Sequence, residues 1–207
     1  MVYTLYYVHD PMCSWCYAFK PTLDELQKNL NDDIKLVNVV GGLAPHSDEP
    51  MPQNQREMIQ NIWYEIEEKT GAKFNHDFWK ENTPKRSTYL SCQATMLARY
   101  VGKENEMIEA IQEAYYLKAK NPSDSSVLIQ LAKQIGMDEK KFEEDLNSLK
   151  IEKDLEEELN FRRSLYVRSF PSLVLKYKKD VYPINIQFGD YKAMLKQIEN
   201  MSENTYF

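Results

Sequence analysis

A short apolar run, Val2-Tyr3-Thr4-Leu5-Tyr6-Tyr7-Val8, leads almost directly into Cys13-Ser14-Trp15-Cys16, and a helical pattern follows. Two thiols separated by two residues at a helix start can come within disulfide reach. The first lies among backbone N–H groups that have no partner inside the helix, at the positive end of its dipole. That setting favours thiolate over thiol, and thiolate is the nucleophile of disulfide exchange. A zinc site competes for the same spacing, but structural zinc needs four ligands, commonly two such pairs. The other donors are Cys92, His9, His46 and His76, with no second CxxC and no HxxxH, so no metal is expected.

The patterning on either side of this junction predicts an α/β chain. Phe19, Leu23, Leu26 and Leu30 recur at helical spacing, with Pro21 inside the stretch. Ile34 to Val40 is a β-branched strand ending at Gly41-Gly42. From Gln53 to about Tyr166 nearly everything reads helical, with Met58, Ile62 and Ile66 on one face, Trp63 beside it, and a cap expected in Asn121-Pro122-Ser123-Asp124. Strand texture returns at Phe170–Leu175 and at Val181–Ile186, an edge strand because of Pro183, and Phe188 to Met201 reads as a closing helix. Short strands at the end complete a sheet begun at the start, which makes the helical block an insertion. The expected organisation is one domain from 1–42 and 167–207 with an inserted helical domain over 43–166.

Composition narrows the functional classes. The 207 residues carry a formal charge of -6 and no Lys/Arg stripe interleaved with aromatics, so no nucleic-acid partner is expected. No run approaches the ~18 apolar residues of a membrane helix, and the start shows neither a basic leader nor a cleavage site, so no membrane association and a cytosolic location are expected. Three cysteines cannot build a disulfide scaffold. Within Ser169-Phe170-Pro171-Ser172 the proline is either an ordinary strand-start residue or a cis site, and its place before the first returning strand favours the latter.

Asp10-Pro11-Met12-Cys13-Ser14-Trp15-Cys16-Tyr17-Ala18-Phe19, the helical block and Phe170-Pro171 together resemble the DsbA-like thioredoxin-fold proteins, closest to the FrnE-like subfamily. The resemblance covers the whole chain. It implies a thioredoxin-like fold with a large all-helical insertion and thiol–disulfide oxidoreductase or isomerase activity. It also implies Cys13 as nucleophile, Cys16 as resolving thiol and Pro171 as the cis proline facing them. Oxidising periplasmic members usually carry Pro-His between the cysteines; Ser14-Trp15 here points to a milder dithiol. Related kappa-type glutathione transferases and hydroxychromene-carboxylate isomerases replace the first cysteine with serine, so both cysteines favour redox chemistry.

The expected substrate is a thiol or disulfide, on a protein or a small molecule, with Trp15 and Phe170 as substrate-contacting residues. No cofactor is expected to be resident, and glutathione is a candidate reductant or co-substrate. Two alternatives stand beside this: a non-catalytic redox-sensing adaptor, and a glutathione-dependent isomerase or transferase of the same fold. His9 reads as a loop residue without a role, Cys92 as a packed thiol, and Arg162 and Arg163 as surface residues or carboxylate binders.

Overall fold

The computed structural model describes residues 3–203, so Met1, Val2 and the last four residues lie outside the described residues. Strand β1 (Tyr3–His9) alternates its side chains between two faces, as extended backbone requires. Tyr3, Leu5 and Tyr7 point one way, onto Phe19, Leu23 and Leu26 of helix α1 (Ser14–Lys28) and Met194 and Ile198 of the last helix, α9 (Tyr191–Glu203). Val8 points the other way, to Val39, Leu165, Val167 and Val174.

Strand β2 (Ile34–Val40) runs parallel to β1, with Leu5 beside Leu36. Between β2 and the next strand the chain forms seven helices: α2 (Gln53–Thr70), α3 (Phe78–Glu81), α4 (Tyr89–Tyr100), α5 (Glu104–Tyr116), α6 (Ser125–Gln134), α7 (Glu139–Leu146) and α8 (Leu149–Ser164). Strand β3 (Ser172–Tyr177) then pairs antiparallel to β1, and β4 (Asp180–Ile184) antiparallel to β3. The sheet order is β2-β1-β3-β4. Pro183 sits on the terminal strand, where a missing N–H leaves no ladder bond broken.

The helical segment has its own core. Trp63 is fully buried, with the rings of Phe74 and Trp79 at 4.9 Å and those of Tyr115 and Tyr116 at 5.6 and 5.5 Å. Met58, expected on the apolar face, is instead 49% exposed; Trp63 and Ile66 define the buried stripe of α2. Tyr17 couples α1 to this core, stacking on Tyr116 at 4.6 Å and donating its hydroxyl to the Lys73 carbonyl. Asp124 occupies the cap position of α6 but makes no side-chain cap bond; Asn121 accepts from Ser123 N–H, and Ser123 donates to the Ser87 carbonyl.

Candidate active site

Helix α1 begins at the first thiol. Cys13 is its N-cap, with extended backbone, and its Sγ accepts the Cys16 N–H at 3.3 Å. One orphan donor of the helix start is thereby aimed at this sulfur. The loop before it is fixed by Asp10, whose carbonyl accepts the Cys13 N–H at 3.0 Å and whose carboxylate accepts the Met12 N–H at 2.9 Å. From across the fold comes the segment before β3. The Phe170–Pro171 peptide is cis, and the Cys13 thiol faces the Phe170 carbonyl oxygen at 3.7 Å. Cys13, Cys16 and the Phe170-Pro171 segment are therefore brought together.

The two thiols are not equivalent. Cys13 is 6% exposed and Cys16 fully enclosed; both are free. Burial, then the hydrogen bond and charge of Cys13, push the Cys16 thiol well above its ordinary range. Burial, then the charges of Cys16 and Cys13, push the Tyr7 phenol on β1 well above its ordinary range.

Trp15 is half-buried. Its ring meets Phe188 edge-on at 5.3 Å, and the Lys69 ammonium lies 5.9 Å from it. Phe188 lies outside α9, in a turn held to α1 by Gly189 N–H donating to Thr22 Oγ1 at 2.9 Å. Phe170 lies over Gly41, where a Cβ would come within 2.3 Å of the ring; only glycine leaves room for this approach. Arg162 closes that side, donating to the Gly41 carbonyl at 3.0 Å with its guanidinium 5.8 Å from the Phe170 ring. Its observed contacts are thus with the Phe170 segment, whereas Arg163 points to Asn160 on its own helix.

Asp10 was not among the expected site residues, yet it ties the site together. It is fully buried and accepts from Met12 N–H, Leu43 N–H (2.7 Å), the Thr88 hydroxyl (2.6 Å) and the Cys92 thiol (3.5 Å). Burial raises its pKa, and these donors offset part of the rise. Cys92 is therefore more than a packed thiol: it serves as a donor to the loop that carries Cys13. His9 is the last residue of β1, not a loop residue. It is fully buried, stacked on Tyr7 at 4.9 Å, and neither ring nitrogen has a hydrogen-bond partner. Burial, aided by the charge of Arg99, lowers its pKa to about 3, so at neutral pH it carries no charge toward the thiols. Elsewhere, His46 packs edge-on against Tyr89 and His76 bonds Glu67.

Comparison with known proteins supports the fold. The solved structure of a candidate protein disulfide isomerase from Nitrosomonas europaea superposes with a TM-score of 0.83 over the full length of both chains, at 21% identity. The cytosolic disulfide reductase DsbM from Pseudomonas aeruginosa, also solved with GSH, gives 0.78 over 97% of this chain and 99% of that one, at 18% identity. By sequence, the ClpXP adapter protein SpxH of Halalkalibacterium halodurans is 26% identical over 176 residues, 82% of this chain and 57% of that protein. The chain thus spans a little over half the length of this curated relative. These neighbours share the thioredoxin-like architecture with its many helices. Among the described residues no helix is long and apolar enough to cross a membrane. The family model described as Thioredoxin matches residues 6–197, and the chain belongs to that family.

Proposed function

We propose that the protein is a thiol–disulfide oxidoreductase in which Cys13 attacks and Cys16 resolves. One observation carries this reading: Cys13 sits at the helix start with the Cys16 N–H on its sulfur and a sliver of its surface open, while Cys16 waits fully enclosed one turn behind. The Cys13 thiolate attacks a substrate disulfide and forms a mixed disulfide. Cys16 then attacks Cys13, releasing the reduced substrate and leaving Cys13–Cys16 oxidised; the reverse sequence oxidises a dithiol. Trp15 and Phe170, with Phe188, form the aromatic rim a substrate would meet, beside the backbone at Pro171. Glutathione is the reductant or co-substrate this reading favours, and a reducing compartment its setting, supported by the likeness to a cytosolic disulfide reductase solved with GSH.

The likeness to ClpXP adapter proteins over 82% of the chain favours one second reading, a redox-sensing adaptor that binds a protein partner without turnover. An insulin-reduction assay with glutathione as electron source separates the two. The oxidoreductase reading predicts turnover by the wild-type protein and none by Cys13→Ser. Equal rates in the two proteins would overturn it. Glutathione-dependent activity that survives Cys16→Ser would instead indicate a monothiol transferase or isomerase.

A further inference from the structure

Arg162 is a cation beside the dithiol that no carboxylate meets, in a chain whose formal charge is -6. It lies in the last turn of α8, half-buried, and donates to the Gly41 carbonyl at 3.0 Å. Among the described residues that is its one hydrogen bond; its Nε–H has no acceptor, and it makes no ion pair. Glu158, one turn earlier on the same helix, holds the position from which a carboxylate ordinarily reaches an arginine. That carboxylate is already engaged, with the Val40 N–H and with Arg99. Arg99 itself, 30% exposed, has two acidic partners, Glu104 and Glu158. Burial, followed by the charge of Arg163, lowers the Arg162 pKa, the direction expected of a cation without a counter-ion.

The surroundings of this guanidinium belong to the candidate site. It lies 5.8 Å from the Phe170 ring, and the Phe170 carbonyl oxygen faces the Cys13 thiol at 3.7 Å. The carbonyl it holds is that of Gly41, the residue on which the Phe170 ring rests. A disulfide that meets Cys13 beside Phe170-Pro171 therefore has an unopposed cation along the same edge. The Trp15 edge differs, because Lys69 there is paired with Glu65 at 2.5 Å. A guanidinium offers five N–H donors in a planar fork that matches a carboxylate, and one of these is used.

We propose that Arg162 is a specificity-determining residue that binds a carboxylate of a small disulfide substrate. The proposal rests on the dithiol reading above and narrows its substrate to carboxylate-bearing disulfides, of which glutathione disulfide is the probe. The Cys13 thiolate attacks one sulfur of the probe, and the new S–S bond forms as the old one breaks. The electron pair leaves on the departing glutathione sulfur, which takes a proton from solvent. Cys13 is thereby oxidised to the mixed disulfide, and one half of the probe is reduced to thiol.

The test reads a ratio of rates. Proteins carrying Cys16→Ser, which traps the adduct, are reduced and mixed with excess glutathione disulfide or with uncharged bis(2-hydroxyethyl) disulfide. Samples are quenched in acid at short intervals and weighed by mass spectrometry. The preference for the anionic over the uncharged disulfide is expected to fall about tenfold in Arg162→Gln, the effect of one hydrogen-bonded ion pair. Taking the ratio cancels any general loosening of the Phe170 segment. Arg162→Lys, which keeps the charge, should restore part of the preference. Arg163→Gln, which removes the same charge one residue along, should keep all of it, because Arg163 turns to Asn160. A preference unchanged in Arg162→Gln, or lowered equally in Arg163→Gln, would overturn the proposal. If Arg162→Gln lacks a cooperative melting transition, Arg162→Met repeats the comparison with an apolar stem in place of the arginine's own. Failure of the dithiol reading looks different: with Arg162 intact, neither disulfide would form an adduct on Cys13, and the inference would fall with it.

Discussion

His9 and Asp10 are neighbours in sequence, both fully buried, and burial moves their ionisation in opposite directions. His9 falls from an unfolded value near 6.5 to about 3. Between those values the unfolded chain takes up a proton that the folded chain refuses, so the stability contributed by His9 is complete above about pH 6.5 and drains away as pH falls toward 3. Asp10, raised by burial, has the opposite sign: its contribution is greatest below the ordinary carboxylate value and declines as pH rises. Comparing wild type with His9→Phe isolates the first effect. Relative to pH 7.5, acidification to pH 4.5 should cost the wild type about 3 kcal/mol more than the variant, at ~1.4 kcal/mol per pH unit, in urea unfolding. A difference between the two proteins that does not change with pH would show that His9 titrates normally. At this scale the thiols were legible because their spacing carries the chemistry. His9 and Asp10 were not, because a single sequence does not show that β1 runs on to residue 9 or that Thr88 and Cys92, some eighty residues away, turn their donors toward Asp10.

The element boundaries that position the site depend on a few polar contacts. Phe188 was expected inside the closing helix, yet that helix starts at Tyr191 because Asp190 caps it, accepting the Ala193 N–H at 3.0 Å. Gly189-Asp190, a glycine followed by a capping residue, is the local signal for that boundary. Glu158 of α8 has a similar organising role. Its carboxylate accepts the Val40 N–H at 2.7 Å and two bonds from Arg99, at 2.6 and 2.9 Å, joining α8, β2 and α4 beneath the Gly41–Gly42 turn. The pair is partly shielded, with Glu158 12% and Arg99 30% exposed. Glu158→Ala is therefore expected to cost about 2–3 kcal/mol in urea unfolding, since it strands an amide and most of a guanidinium. Lys153→Ala, which breaks an exposed pair at 3.9 Å on the same helix, should leave the midpoint where it is. Equal shifts in both variants would mean that Glu158 is only another surface charge.

Across the whole molecule, both ends of the chain build one sheet, and the helices between β2 and β3 carry a separate aromatic core around Trp63. Periodicity was enough to read this order, because strand and helix textures alternate cleanly along the chain. Periodicity could not show how the two cores meet at the thiols: Tyr17 docks on Tyr116, Asp10 reaches Thr88, and Arg162 holds the Gly41 carbonyl under Phe170. These contacts link residues distant in sequence and leave no local pattern. They also bring both substructures to bear on the loop around Cys13, with only that thiol open to a substrate. The most direct test is to incubate the Cys16→Ser protein with a disulfide substrate and locate the resulting adduct by peptide mass spectrometry. The account predicts a long-lived mixed disulfide on Cys13, absent when Cys13→Ser is used with Cys16 intact. An adduct that forms on Cys92, or equally well in the Cys13→Ser protein, would contradict it.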